Sequence, residues 1–228
     1  MSEFVIEPPQ AATLPVKGTD SRFPVRRVYC IGRNYAAHAI EMGHDPDKDP
    51  PFFFQKNPDN LVVSNEFPYP VQTEDVHFEA EMAVALKSGG TNIKIDDALD
   101  HVYGYATALD MTRRDLQGVA KKMGRPWEIG KAFEKSAPIT HLVPVAECGH
   151  KDAGSIRLTQ NGEVKQDGDL NQMIWKVPEM ISYLSNYFEL AAGDVILTGT
   201  PAGVGPVERG DVLEVAIADL PKLSVKVV

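Results

Sequence analysis

Apolar and polar residues fall into many short runs with the two-residue period of strands, separated by few helical stretches. Residues 27–31, 52–55, 194–198, 211–217 and 223–228 read as strands. Residues 155–160 alternate, Asn161-Gly162 supplies a two-residue hairpin turn, and residues 163–166 return. Two more apolar strands, within residues 77–86 and 104–111, carry carboxylates. Helical spacing is confined to residues 35–42 (stopped by Gly43), 96–102, 112–123 and 172–187. Thr112 is the expected N-cap of the third of these. Met173, Ile174, Val177, Ile181 and Leu184 form the apolar face of the last, with Pro178 restricted to its first turn or marking its start. This pattern predicts a β-rich α+β fold rather than a doubly wound sheet. Residues 1–24, rich in proline, predict an N-terminal arm with one strand at 4–6, ordered only by docking. A catalytic domain is expected over 25–228. Residues 43–51, Gly-His-Asp-Pro-Asp-Lys-Asp-Pro-Pro, predict a polar loop able to act as a mobile lid.

The 228 residues suffice for one large core, and 43% hydrophobic with 24% charged residues is ordinary for a globular protein. The net charge of −9 and the lack of a basic stripe argue against nucleic acid as a partner. An anionic substrate would then need a local positive site made of a metal, Arg or Lys. No apolar run is long enough to span a membrane, and no secretory signal is visible at the N-terminus. Cys30 and Cys148 form no C-x-x-C pair, so a cytoplasmic, reducing compartment is expected.

Three carboxylates carry the clearest chemical signal. Glu79 and Glu81 lie two apart in His77-Phe78-Glu79-Ala80-Glu81, so on a strand they share a face, with Cα atoms roughly 6–7 Å apart. Asp110 lies in a second apolar strand. Buried carboxylates need a partner, and a hard divalent cation with oxygen ligands is a natural one. A solvated Glu pair on an edge strand with an unrelated Asp is the competing interpretation. His38 and Glu41 stand at i, i+3, able to touch on a helix; a Glu that accepts from one ring nitrogen leaves the other as a base, whereas an ordinary surface pair has the same spacing. The Gly-rich run Leu197-Thr198-Gly199-Thr200-Pro201-Ala202-Gly203-Val204-Gly205 lacks the phosphate-loop pattern. It is either a plain interstrand loop or a set of backbone N–H groups, with a Thr hydroxyl, suited to a carboxylate. Lys131, Arg114 and Gln117 taken singly read as surface side chains. The other histidines show no metal-ligand spacing.

Taken in order, Arg33-Asn34-Tyr35 with His38 and Glu41, His77-Phe78-Glu79-Ala80-Glu81, Leu109-Asp110-Met111-Thr112-Arg113-Arg114-Asp115-Leu116-Gln117, Gly130-Lys131-Ala132-Phe133 and the Gly-rich run resemble the fumarylacetoacetate hydrolase family. Val25-Arg26-Arg27-Val28-Tyr29-Cys30, Pro50-Pro51-Phe52-Phe53-Phe54 and Gly124-Arg125-Pro126-Trp127-Glu128-Ile129 bring the chain nearer to short bacterial fumarylpyruvate hydrolases of the gentisate pathway. The resemblance implies a mixed β-sandwich roll, a homodimer and a bound Mg²⁺ or Mn²⁺. It implies Glu79, Glu81 and Asp110 as metal ligands, His38 and Glu41 as a water-activating dyad, and Lys131 beside the reacting enolate. Arg114, Gln117 and Thr200 are then expected around the substrate. Two departures stand out: Gln55-Lys56-Asn57-Pro58 where relatives commonly have Lys-Pro, which puts the local lid geometry and any role of Lys56 in doubt, and Phe78 where relatives often carry His or Tyr.

The implied reaction is metal-dependent hydrolysis of a C–C bond in a 2,4-dioxo acid, most specifically fumarylpyruvate in aromatic catabolism. Rival expectations are oxaloacetate decarboxylation, hydration or isomerisation of an oxo acid on the same fold, and a non-catalytic metal-binding protein.

Overall fold

The computed structural model describes residues 4–36 and 51–228. His38, Glu41 and nearly all of the expected 35–42 helix and 43–51 loop lie outside the described residues.

Among the described residues the centre is a six-stranded mixed sheet. Its order is Val143–Pro144, Val102–Leu109, Ala80–Leu86, Asp194–Leu197, Arg27–Gly32 and Phe52–Lys56. Every residue of Ala80–Leu86 is buried, because both faces of this sheet are covered. Met82, Val84, Leu86, Ile31 and Ile196 face a core completed by Ile156, Leu158, Val215 and Ile217. Those residues belong to a five-stranded sheet ordered Glu163–Asp169, Ser155–Gln160, Val212–Ile217, Leu223–Val227 and Glu66–Phe67. The Val177–Ser185 helix adds Val177, Met180, Ile181 and Leu184 to the same core. On the other face Cys30, Ala83, Ala85, Ala106 and Ala108 leave room for Leu14, Val16 and Phe23, and for Ile139 and Leu142. This is the β-rich α+β architecture with mixed sheets that the sequence predicts.

Most expected strands lie within a residue or two of their observed bounds, and three expectations are corrected. Residues 4–6 form no strand and are exposed; the arm instead forms the hairpin Thr13–Val16 with Thr19–Pro24. Its Leu14, Val16 and Phe23 bury apolar surface against the central sheet, which a strand of exposed Phe4, Val5 and Ile6 would not do. Thr112 does not cap a helix: it pairs with His77 as a strand residue and donates its hydroxyl to Asp110 O at 3.2 Å, so the helix spans Arg114–Lys122. Residues 172–187 are also not one helix; Pro178 lies in the first turn of Val177–Ser185.

Two strand pairs leave the central sheet together. The pairing of Ala80–Leu86 with Val102–Leu109 ends at Ala80 opposite Leu109. Beyond it, Val76–Phe78 and Thr112–Arg113 pair again in a separate three-stranded sheet, His77 opposite Thr112. Glu79 and Asp110 fall in the gap between the two sheets, where Asp110 N donates to Glu79 O at 2.8 Å. Polar side chains are placed in the protein interior at this point because neither ladder continues through it.

Candidate metal centre and active site

At this gap Glu79, Glu81 and Asp110 each offer a carboxylate oxygen within 4.8 Å of the others, and all three side chains are buried. The edge-strand alternative for Glu79 and Glu81 is therefore excluded by their burial.

Glu79 and Asp110 share one ammonium, and Glu81 has only a backbone donor among the described residues. Lys131 Nζ donates to Glu79 Oε2 and to Asp110 Oδ2, both at 2.8 Å. Arg114 Nη2 donates to Glu79 Oε1 at 2.6 Å, and Arg114 Nη1 to Gln117 Oε1 at 2.7 Å. Lys56 Nζ stands 2.8 Å from Asp110 Oδ1 in an ion pair that lacks hydrogen-bond geometry. Glu81 accepts the backbone N–H of Gly199 at 2.8 Å. No Lys or Arg side chain of the described residues forms an ion pair with Glu81.

Burial, Asp110 and Glu79 push the Glu81 carboxyl well above the ordinary carboxylate range, against the pull of Lys131 and the Gly199 N–H. Burial disfavours charge on Lys131 too, but Asp110 and Glu79 outweigh it and hold the ammonium above its usual value. A divalent cation among these oxygens would stabilise the ionised form of Glu81. An all-carboxylate donor set suits a hard ion such as Mg²⁺ or Mn²⁺, so the residues present fit the expected metal.

The backbone that positions these groups depends on two glycines. Gly199 has φ +92°, and a Cβ there would meet Asn34 Cβ at 2.8 Å. Its N–H can reach Glu81 only because the chain passes this close to Asn34. A Cβ on Gly130 would meet Gln117 Cβ at 2.9 Å, so Gly130 lets the short Glu128–Lys131 helix pack against Arg114–Lys122 and brings Lys131 inward.

Glu79 and Glu81 line a cleft of about 430 Å³, its open mouth included, and Asp110 is fully buried beside them. Arg33, Phe52, Phe54, Arg114, Gln117, Lys121, Trp127, Lys131 and Thr200 are among its lining residues. Phe52 packs edge-on against Trp127, with ring centroids 4.7 Å apart. Thr200 Oγ1 accepts from Gln166 Nε2 at 2.8 Å, so its own proton remains available to a ligand. The structure thus gathers Glu79, Glu81, Lys131, Arg114, Gln117 and Thr200 around one cleft, with Asp110 buried in the same carboxylate cluster and bonded to Lys131. His38 and Glu41 lie outside the described residues.

Four groups at this site were not legible in the sequence. Lys56 is buried, donates to Met111 O, Ser136 Oγ and Lys131 O, and faces Asp110. Gln166 accepts Ala80 N at 2.9 Å and donates to Thr200 Oγ1 and Pro201 O, each at 2.8 Å. Asn34 donates to Thr198 O at 2.8 Å and accepts Trp175 N at 2.7 Å, joining the end of one central strand to its neighbour. Lys121 lies one turn beyond Gln117 on the cleft side of its helix. Of these, only the Asn34 position sits inside a motif.

Comparison with known proteins agrees with this geometry. The family model described as fumarylacetoacetate (FAA) hydrolase C-terminal matches residues 27–228. The chain belongs to the fumarylacetoacetate hydrolase family. It is similar to the fumarylpyruvate hydrolase of Pseudomonas aeruginosa, whose crystal structure is a complex with Mn²⁺ and pyruvate. The two are 52% identical with a TM-score of 0.97, covering 99% of each chain. Among curated relatives, the mitochondrial oxaloacetate decarboxylase of Dictyostelium discoideum is 39% identical over 86% of this chain and 90% of its own length. The oxaloacetate tautomerase YcgM of Escherichia coli is 40% identical over 85% of this chain and 89% of its own length. The chain is thus an enzyme of a family with metal-dependent activity. None of the helices among its described residues is long and apolar enough to cross a membrane.

Proposed function

We propose that this enzyme hydrolyses the C–C bond of a 2,4-dioxo acid, with fumarylpyruvate as the substrate, giving fumarate and pyruvate. The observation that carries the proposal is the full-length match, at 52% identity, to a fumarylpyruvate hydrolase crystallised with Mn²⁺ and pyruvate. The positively charged cleft over a carboxylate cluster supports it.

Glu79, Glu81 and Asp110 would hold the cation, which supplies electrophilic polarisation of the substrate's C2 oxygen. Arg114, Gln117 and the Thr200 hydroxyl orient the substrate carboxylate. His38, aligned by Glu41, takes a proton from water as its oxygen attacks C4. The C3–C4 bond then breaks, and its electron pair remains on the pyruvate half as an enolate. The Lys131 ammonium, already desolvated, donates a hydrogen bond to that developing negative charge. Protonation at C3 releases pyruvate. The aromatic walls of Phe52, Phe54 and Trp127 exclude bulk water from the reacting centre.

A second reading, decarboxylation or tautomerisation of oxaloacetate, is favoured by the curated relatives at 39% and 40% identity. Both would use the same enolate-stabilising groups and need no attacking water. Purified enzyme with Mn²⁺ separates the readings when assayed on fumarylpyruvate, acetylpyruvate and oxaloacetate. The proposal expects fumarylpyruvate to give the highest kcat/KM, and His38→Ala to lower it by roughly 10²–10⁴-fold, the usual effect of a general base. An enzyme that converts oxaloacetate well and cleaves no 2,4-dioxo acid would make the second reading the correct one.

A cytoplasmic homodimer acting in aromatic catabolism is the setting we propose with it. Equilibrium sedimentation showing a monomer at micromolar concentration would remove the dimer from that proposal.

A further inference from the structure

Lys121 is half-buried in the cleft wall, and no carboxylate of the described residues pairs with it. Burial lowers its ammonium below the usual lysine range, and the charges of Arg33 and Arg114 lower it further. Partly desolvated, and with both of the described charges that act on it cationic, this ammonium favours an anionic ligand in the cleft. It occurs in a chain of net charge −9, where acidic groups are plentiful.

Arg114, Gln117 and Lys121 stand at i, i+3 and i+7 on the Arg114–Lys122 helix, so they form one stripe along the cleft. Arg114 contacts the carboxylate cluster through Glu79. Lys121 lies about 10 Å further along, seven residues at about 1.5 Å each, with its side chain leaning back toward Gln117. Phe52 and Trp127 line the same cleft with apolar, flat surfaces.

Resting on the hydrolase reading above, we infer that Lys121, supported by the charge of Arg33, binds a second carboxylate at the far end of the substrate. The substrate class is then a dianionic acylpyruvate whose unsaturated middle lies between the aromatic walls. Oxaloacetate is too short to engage Arg114 and Lys121 with its two carboxylates in extended form. The stripe therefore discriminates by length as well as by charge.

The test compares fumarylpyruvate with the analogue in which a methyl group replaces the terminal carboxylate. Wild type, Lys121→Gln, Lys121→Arg and the exposed neighbour Lys122→Gln are assayed with saturating Mn²⁺. Lys121→Gln is expected to cut the preference for the dianion about 10- to 100-fold, the value of one hydrogen bond to a charged group, with the change carried by KM. Lys121→Arg should restore most of the preference, and Lys122→Gln should keep it. Equal losses on both acids, or an unchanged preference, would overturn the inference while leaving the hydrolase reading intact. A wild type that cleaves neither acid would refute that reading instead. Calorimetric binding then still tests Lys121: fumarate must bind Lys121→Gln at least tenfold more weakly than wild type, and equal affinity overturns the assignment.

Discussion

Gly199 donates its backbone N–H to Glu81 Oε2 at 2.8 Å, joining residues 118 positions apart. The bond exists because Gly199 takes φ +92° within 2.8 Å of Asn34 Cβ, measured to the Cβ that any other residue would carry. Gly199→Ala should therefore displace this turn and leave Glu81 without its backbone donor. We expect a drop in thermal stability and at least tenfold weaker Mn²⁺ binding, read by scanning calorimetry and titration calorimetry. Unchanged metal affinity in a folded Gly199→Ala protein would show that this donor does not position Glu81.

Binding of Mn²⁺ should also stabilise the fold. At a hundredfold excess over Kd the linkage amounts to about 2.7 kcal/mol, or about 5–10 °C in Tm for a chain of this size. Glu81→Gln removes one of the three clustered carboxylates, so the Mn²⁺-dependent rise in Tm should shrink or vanish. Exhaustive chelation should abolish turnover of the wild type. Full activity in the chelated enzyme would exclude the metal centre.

Lys56 and Asp110 are both fully buried, so neither charge can be solvated once the other is removed. Lys56→Met should cost about 3–5 kcal/mol, the usual effect of breaking a buried ion pair. Urea denaturation reads this directly. A loss under 1 kcal/mol would mean that Lys131 alone compensates Asp110.

Gln166 satisfies Ala80 N at the break between two sheets and also orients Thr200. Gln166→Leu keeps much of the volume but leaves a buried N–H unpaired, at about 1–3 kcal/mol. It should raise KM through Thr200 as well. A stable variant with unaltered KM would assign Gln166 no positioning role.

Asp211 accepts Gln160 Nε2 at 2.6 Å, Asn161 Nδ2 at 2.7 Å and Glu208 N at 2.8 Å. Partial burial pushes its carboxyl up, but the Glu208 N–H and the two amides outweigh this and hold it below the usual Asp value. A depressed folded-state value adds stability that is present above the unfolded value of about 3.9 and is lost as pH falls through the folded one. Asp211→Asn should be less stable than wild type near neutral pH, and the gap should narrow below about pH 4. Parallel pH–stability curves for the two proteins would refute this linkage.

Much of this architecture was legible from local pattern. Period-two pattern places the strands at Ser155–Gln160 and Val212–Ile217, and Asn161-Gly162 places the hairpin from Ser155–Gln160 to Glu163–Asp169, because side-chain period and turn chemistry act over a few residues. Local pattern misplaces the N-terminal strand and the start of the Arg114–Lys122 helix, since contacts with distant chain outweigh propensity there: the 13–24 hairpin packs on the central sheet, and Thr112 pairs with His77.

By itself the sequence determined the donor chemistry: carboxylates two apart in one apolar stretch, a third in another, and ordered motifs that carry the family resemblance. Only the tertiary structure decided that these carboxylates are buried together, where two strands leave one sheet for another. It also decided that Lys56, Gln166 and Lys121 belong to the site. A lone Lys or Gln has no spacing to betray it, because its role depends on the through-space partner it meets, and burial and electrostatic pairing are properties of the packed chain.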